Sequence, residues 1–526
     1  MNWNLPYPSR RQPICADNVV ATTQPLATQA GIAMLVRGGN AVDAALATAI
    51  ALTVVEPVSN GIGSDLFAIL WDGRQLVGLN ASGRAPAEWN RERFAAHAQM
   101  PQRGIDTVTI PGAVSGWVAL SQRYGKLPFA DLFEPAIRYA HDGYAVSPVI
   151  AGKWKLAAPL MPQGVGWQEH FLIDGKPPEP GQRFRSTAMA TTLATIAKTR
   201  GEAFYRGELA HAIIAHSRAC GGVHALSDFE THTIDWVTPL ALDYRGVTVH
   251  EIPPNGQGIA ALMALGMLES FDLGALAPDS VESQHLQIEA MKLAFADVHR
   301  HVCDLSTMRV SPAALLDRDY LRERARLIDR RRAQHFGAGT PPQGGTVYLA
   351  AADANGMMVS LIQSNYMGFG SGVVVPRTGI SLQNRGTGFS LEREHANEVR
   401  GGKRPFHTII PGFVTRGGAP LAAFGVMGGP IQPPGHVQIV VRMHDHGMNP
   451  QAALDAPRFK VNAAMSLDLE ATASPALREG LIALGHELIA IPDSYMDFGA
   501  GQVILKRGAG YIAGSDARRD GQAAGF

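Results

Sequence analysis

Gly344-Gly345-Thr346-Val347-Tyr348-Leu349-Ala350-Ala351-Ala352-Asp353-Ala354-Asn355-Gly356 sets a glycine pair, a threonine and an apolar run in front of an Asp-x-Asn-Gly turn. A Gly- and Pro-rich approach from Gly337 to Gly345 precedes the threonine. Asn-Gly between two apolar runs is a strong short-range hairpin signal, so a second strand is expected over Met357 to Ile362. Two glycines let the backbone bend until the Thr346 hydroxyl can approach the preceding carbonyl. If that peptide bond breaks, Thr346 gains a free amine that can serve as base for its own hydroxyl, one of the ways of activating a weak oxygen nucleophile. Taken by itself, the same window also reads as a plain hairpin after a glycine loop.

Working outward, Val19 to Thr22 is predicted as a strand and Gln24 to Val36 as an amphipathic helix. Asn40 is a good cap for an Ala-rich helix to about Val55, apolar on nearly all sides and therefore expected to be buried. Glu56-Pro57 ends it, and Asn60-Gly61-Ile62-Gly63 leads to strands over Leu66 to Trp71 and Gln75 to Leu79. The middle third reads as helical near Phe129 to Asp142, Ser186 to Ala197 and Gly207 to Ala219, with a strand-like period from Pro239 to Ile252. Asn255-Gly256-Gln257-Gly258 is expected to cap a further helix, and Ser283 to His301 to form a long one. Leu321 to Gln334, containing Arg330-Arg331-Arg332, reads as a solvated helix. Beyond Thr346, strands and turns dominate until helices near Val437 to Arg442, Pro450 to Ala456 and Ser474 to Leu484.

Composition narrows the function. The 526 residues exceed what one core usually serves, so two lobes or one large layered unit are expected. Lys+Arg and Asp+Glu number 46 each, which argues against a partner held by phosphate neutralisation, so no nucleic acid is expected. Three scattered cysteines make neither a disulfide framework nor a zinc site. The opening residues Met1 to Pro8 lack the pattern of a signal peptide, and no apolar run reaches the length needed to span a bilayer, so a cytoplasmic protein without a membrane partner is expected. His299-x-His301 and His444-x-His446 lack a third ligand at sensible spacing. Walker, dinucleotide and G-x-S-x-G motifs are missing from the sequence. No metal or organic cofactor is implied.

With Thr346 in view, the chain resembles the γ-glutamyltransferase family of N-terminal-nucleophile hydrolases over almost its whole length. Gly38-Gly39-Asn40-Ala41-Val42-Asp43-Ala44-Ala45, Glu56-Pro57 and Gly61-Ile62-Gly63 resemble the family's opening signature. Lys403-Arg404-Pro405, Gly428-Gly429, Ala456-Pro457-Arg458-Phe459 and Gly514-Ser515-Asp516-Ala517-Arg518-Arg519-Asp520-Gly521 follow in family order. The resemblance implies an α+β fold, a four-layer αββα sandwich, made as one precursor and cut before Thr346. The large (1–345) and small (346–526) fragments would stay associated, with a dimer of that unit as a further possibility. It also implies Thr346 as nucleophile, Gly428-Gly429 as oxyanion donors and Ser364, in place of a family threonine, as the hydroxyl supporting the nucleophile.

Departures from the family pattern set the expected substrate. The transpeptidases' α-carboxylate arginine falls at Ser82, with Arg84 two residues on. The acid that pairs with the α-ammonium is Gly388, the Ser-Ser pair is His407-Thr408, and a family asparagine is Tyr366. The lid between Ser390 and Lys403 is short. Arg84, Tyr366, Asn384, Arg385, His407 and Thr408 together suit an anion without an α-amino group and resemble the acylase and oxamate amidohydrolase branch. A small anionic amide is therefore the expected substrate, with oxamate the candidate. Structural ion pairs for Arg84 and Arg385, and a structural role for His407, are the alternatives. The competing functions are a γ-glutamyl hydrolase or transferase for glutathione, a cephalosporin-type acylase, and an uncut, non-catalytic scaffold.

Overall fold

A computed structural model describes residues 10–336, 345–462, 465–489 and 498–526. The opening residues and the approach loop 337–344 lie outside these. Strands β1 (Ile14–Ala16) and β2 (Val19–Thr22) precede helices α1 (Pro25–Val36) and α2 (Ala41–Val55). Strands β3 (Asp65–Trp71) and β4 (Leu76–Ala81) follow, then helix α3 (Ala113–Tyr124). After a helical middle third come β5 (Asp235–Val237), β6 (Leu240–Tyr244), β7 (Val247–Glu251), α4 (Ile259–Leu268) and α5 (Val281–His301). The small-fragment region contributes β8 (Gly345–Ala352), β9 (Met358–Tyr366), β10 (Gly412–Arg416), β11 (Ala419–Met427), α6 (Gln432–His444), β12 (Ala500–Arg507), β13 (Gly510–Ser515) and β14 (Gln522–Gly525).

Two seven-stranded sheets result, ordered β14-β2-β8-β9-β3-β4-β5 and β1-β13-β12-β11-β10-β7-β6. Every pairing in both is antiparallel. Alternation along β8 shows how the layers are made. Val347, Leu349 and Ala351 pack with α1, α2 and α3 on the outer face of the first sheet. Tyr348, Ala350 and Ala352 point the other way, into a core shared with Phe413, Ala423 and Ile504 of the second sheet. The second sheet's outer face is covered by α4, α5 and α6. The expected four-layer αββα sandwich is what forms. Tyr348 lies so close over Gly425 that a side chain there would meet the ring at 2.5 Å, which explains a glycine within β11.

Local signals are recognisable in the result. The Asn40 side chain accepts from the Val42 and Asp43 amides, and the Asp43 carboxylate accepts from Asn40 N, a complete capping box. All fifteen residues of α2 are buried, as its apolar circumference predicts. In the Asp353–Gly356 turn, Asp353 Oδ1 accepts from the Asn355 amide (2.9 Å) while Oδ2 accepts from Ala41 N at 2.8 Å, pinning the hairpin to the start of α2.

Two expectations need correction. The helix predicted over Leu321 to Gln334 runs from Arg318 to Ala325 only. Beyond it the backbone is drawn to partners far along the chain: Ala333 N donates to Leu484 O (2.7 Å) and Gln334 O accepts from Lys292 Nζ (3.2 Å). The run Asn255 to Gly258 leads into α4, but its side chains do not cap it. Gln257 instead donates to Thr408 O and Gly429 O, at 2.7 and 3.0 Å.

Candidate active site

Thr346, Ser364 and Asp65 stand on three adjacent strands, at one end of the face between the sheets. Ser364 is directly opposite Asp65 in the β9–β3 register. Between β8 and β9 the register shifts from Gly345↔Tyr366 to Val347↔Gln363, so Thr346 occupies a β-bulge. A bulge re-aims a side chain without breaking the sheet, and bulges collect beside active sites. The buried Thr346 Oγ1 donates to Ser364 Oγ at 3.1 Å, and Tyr366 N donates to the same Ser364 oxygen at 2.7 Å. The pairing expected between Thr346 and Ser364 is thus present in the geometry.

Tyr366 bends the chain at φ +79°, and the Arg385 guanidinium carbon lies 4.6 Å from its ring centroid. Arg385 opens a short turn over Arg385–Gly388 and is buried. Its Nη1 donates to Thr408 Oγ1 at 2.8 Å. Nε and Nη2 have no hydrogen-bond partner among the described residues. Those two nitrogens form one edge of the planar fork, the edge that takes a carboxylate side-on. Burial pulls the Arg385 pKa down to about 10, with Asp65 and Tyr366 opposing, so the group remains cationic at neutral pH.

His407 is fully buried, its Nε2 3.1 Å from Asp65 Oδ2 and its Nδ1 accepting from Ile409 N at 3.4 Å. Burial first, then Arg385 and Arg404, hold its pKa well below the usual value, so the ring is a neutral Nε2–H donor. The other Asp65 oxygen accepts from the amides of Gly112 (3.0 Å), at the start of α3, and Gly83 (3.3 Å). Asp65 was not singled out in the sequence. A usable signal existed: a carboxylate at the first position of an apolar strand, on the same side as Phe67 and Ile69.

Gly428 and Gly429 follow β11 with φ of +125° and +71°. A side chain on Gly428 would meet Ile431 and the Gly499 backbone at 2.8 and 3.0 Å. Through Gln257 the Gly429 carbonyl is tied to Thr408, and through Thr408 to Arg385. The structure therefore links Thr346, Ser364, Tyr366, Arg385, Thr408 and Gly429 by contacts, with His407 joined through Asp65.

Two expected site residues are occupied otherwise. Arg84 Nη1 pairs with Asp304 Oδ2 at 3.1 Å and reaches Gly402 O at 3.2 Å, its side chain 38% exposed. The Asn384 amide is committed to backbone, accepting from Met367 N (3.1 Å) and donating to Gln102 O (2.8 Å). At Gly388 a Cβ would lie 2.4 Å from Phe406 O, so an acidic side chain cannot occupy this position without moving backbone.

One group of metal-ligating side chains, His285, Glu289 and His486, comes together among the described residues. It is already closed on itself. His285 Nδ1 and His486 Nε2 are 2.7 Å apart, and Lys292 Nζ contacts both Glu289 Oε1 (2.9 Å) and His486 Nδ1 (3.2 Å). An ammonium inside the set does not fit a cation site. Among the described residues no helix is long and apolar enough to cross a membrane.

The site sets a threonine hydroxyl on a strand bulge between two sheets, hydrogen-bonded to a serine of the next strand. The gamma-glutamyltranspeptidase family model matches residues 27–526, and the chain belongs to that family of amide-bond hydrolases. It is 35% identical to the glutathione hydrolase-like YwrD proenzyme of Bacillus subtilis, over 97% of this chain and 98% of that one. It is 34% identical to the oxamate amidohydrolase proenzyme of Klebsiella pneumoniae, covering 95% and 97% respectively. The crystal structure of a cephalosporin acylase from Bacillus halodurans superposes with a TM-score of 0.96 at 46% identity, covering 100% of this chain and 99% of that one.

Proposed function

We propose that this protein is a self-cleaving amidohydrolase that hydrolyses a short amide bearing a carboxylate, with oxamate as candidate substrate. The observation that carries the reading is the Nε/Nη2 edge of buried Arg385, without a partner among the described residues and one tyrosine away from the Ser364 hydroxyl that holds Thr346. Maturation would begin with attack of Thr346 Oγ1 on the Gly345 carbonyl. The peptide becomes an ester, the Thr346 amine is freed, and water hydrolyses the ester to leave fragments 1–345 and 346–526.

In turnover the free amine accepts the hydroxyl proton as Oγ1 attacks the substrate amide carbon. The tetrahedral oxyanion is served by backbone N–H groups at Gly428-Gly429, where glycine permits close approach. The proton passes to the leaving nitrogen, ammonia departs, and water hydrolyses the acyl-threonine ester. The Arg385 fork holds the substrate carboxylate while Thr408 fixes the guanidinium plane.

A second reading, an acylase for a larger carboxylate-bearing amide, is supported by the 46% identity to a cephalosporin acylase. A γ-glutamyl reading is opposed by the closed space at Gly388. The test compares hydrolysis by the matured enzyme of oxamate, read as ammonia, of glutathione, read as glutamate, and of an acyl cephalosporin, read as the freed β-lactam amine. Turnover of oxamate ahead of both supports the proposal; preference for the cephalosporin selects the second reading, and preference for glutathione contradicts both.

A further inference from the structure

Two glycines in succession have many conformations open to them, so the loop that carries Gly428 and Gly429 must be held by its neighbours. Upstream, Met427 is fixed by its pairing with Ala500 on β12. Downstream, the Gly429 carbonyl accepts from Gln432 N in the first turn of α6 and from Gln257 Nε2 at 3.0 Å. The same Gln257 nitrogen donates to Thr408 O at 2.7 Å, so one buried amide clamps the loop to the segment that carries His407 and Thr408. Two carbonyl partners require the nitrogen, not the oxygen, at that point. The 405–408 segment is itself fixed to the stretch around Gln257. Gln257 N donates to His407 O (3.0 Å), His407 N to Asn255 O (2.9 Å) and Asn255 Nδ2 to Pro405 O (2.7 Å). Gln432 adds a second strap, its Oε1 accepting from Ile410 N at 3.0 Å. Both glutamines are fully buried, and Gln257 Oε1 and Gln432 Nε2 have no partner among the described residues. A buried amide atom in that state opposes folding, so stability alone does not account for glutamine at position 257.

We propose that Gln257 is a positioning residue for amide hydrolysis, which sets the Gly428 and Gly429 amides against the anion fork of Arg385. This rests on the oxyanion role given above to that glycine pair. The contacts run from Arg385 Nη1 to Thr408 Oγ1, through Thr408 to its carbonyl, and across Gln257 Nε2 to Gly429 O. They join the group that holds a substrate's carboxylate to the amides that receive the charge formed at its reacting carbonyl. Oxyanion donors act where charge develops in the transition state, and their effect depends on being placed there beforehand. Gln257 acts through the Gly429 backbone and not on the carboxylate. Its loss therefore lowers kcat and leaves ground-state binding on Arg385 in place.

The test is Gln257→Met, which keeps a similar shape and removes the donor, with Gln438→Met as the control. Gln438 is equally buried, in α6, and donates to Pro434 O (3.0 Å) and Phe459 O (3.1 Å), outside this run of contacts. Rates are counted per mole of the 346–526 fragment, with oxamate, glutathione and an acyl cephalosporin as amides. For whichever amide the native enzyme turns over, Gln257→Met should lower kcat about ten- to a hundredfold, with KM and the Kd for oxalate within about twofold. Gln438→Met should keep the native kcat. The same kcat loss found with glutathione or the cephalosporin, where oxamate is not hydrolysed, supports the positioning role and overturns only the oxamate reading. Native kcat in Gln257→Met, an equal loss in Gln438→Met, or a loss confined to KM and oxalate affinity overturns the role. So does a Gln257→Met chain that cannot be purified folded, or that stays uncut, while Gln438→Met matures, since the brace would then serve folding or maturation. Hydrolysis of none of the three amides by the native enzyme removes the proposed function and this role with it.

Discussion

Arg385 has one nitrogen on Thr408 and an edge of two N–H groups without a partner among the described residues, so lysine in its place keeps the charge and removes the fork. Charged hydrogen bonds contribute about 1.5–3 kcal/mol, so Arg385→Lys should raise KM for an anionic amide about ten- to a hundredfold, with self-cleavage intact. Steady-state kinetics on oxamate beside mass analysis of the protein checks this, and an unchanged KM would place the carboxylate elsewhere. Ser364→Ala removes the acceptor that orients Thr346 Oγ1, a neutral bond worth about 1 kcal/mol. A roughly fivefold lower kcat at unchanged KM is expected from initial rates. The sequence singles out Thr346 and Ser364 because the glycine pair before the threonine and the family order converge on them, and the structure sets their hydroxyls 3.1 Å apart. Arg84 and Arg385 were not separable there: two arginines look alike until Asp304, 220 residues away from Arg84, is seen to pair with one of them. Asp65 was missed because it stands where a glycine loop becomes a strand, and its partner His407 lies 342 residues further on.

The Asp353–Gly356 hairpin turn and helix α2 are one mechanical unit, since the Asp353 carboxylate closes the turn and accepts from the first amide of the helix. Removing a cap of this kind costs about 1 kcal/mol, and here a turn is lost with it. Asp353→Ala should therefore lower stability by about 2 kcal/mol, measured as a fall in the urea midpoint; no shift would show that water replaces both contacts. Hairpin and buried helix were readable because turn chemistry and capping are local. The segment after Ala325 was not, because its apparent helical pattern yields to backbone bonds with Leu484 and Lys292 that no local window contains.

Across the whole molecule the fragments interleave: β8 and β9 lie between β2 and β3 in one sheet. Cleavage before Thr346 would cut the chain without parting a layer. The order of strands is set by pairings hundreds of residues apart, so only the family resemblance, not periodicity, made the sandwich legible. A buried ionic cluster braces the second sheet, where Arg458 pairs with Asp516 at 2.6 Å and Arg518 with Glu470 at 2.6 Å. Burial alone would raise the Asp516 pKa, but Arg458 and Arg518 bring it down to about 2. Because the folded pKa lies below the unfolded value, its contribution is present above about pH 4 and is lost as pH falls towards 2. Asp516→Asn should lower Tm at pH 7, and the gap from the native protein should close between pH 4 and 2; a constant gap would contradict the linkage. Most direct of all is the intact mass of the purified protein under denaturing conditions, beside Thr346→Ala. Two fragments that join at Gly345/Thr346, with a full-length variant, are expected if Thr346 is the nucleophile. A single uncut chain that still hydrolyses amides, or a Thr346→Ala chain cut at the same bond, would contradict it.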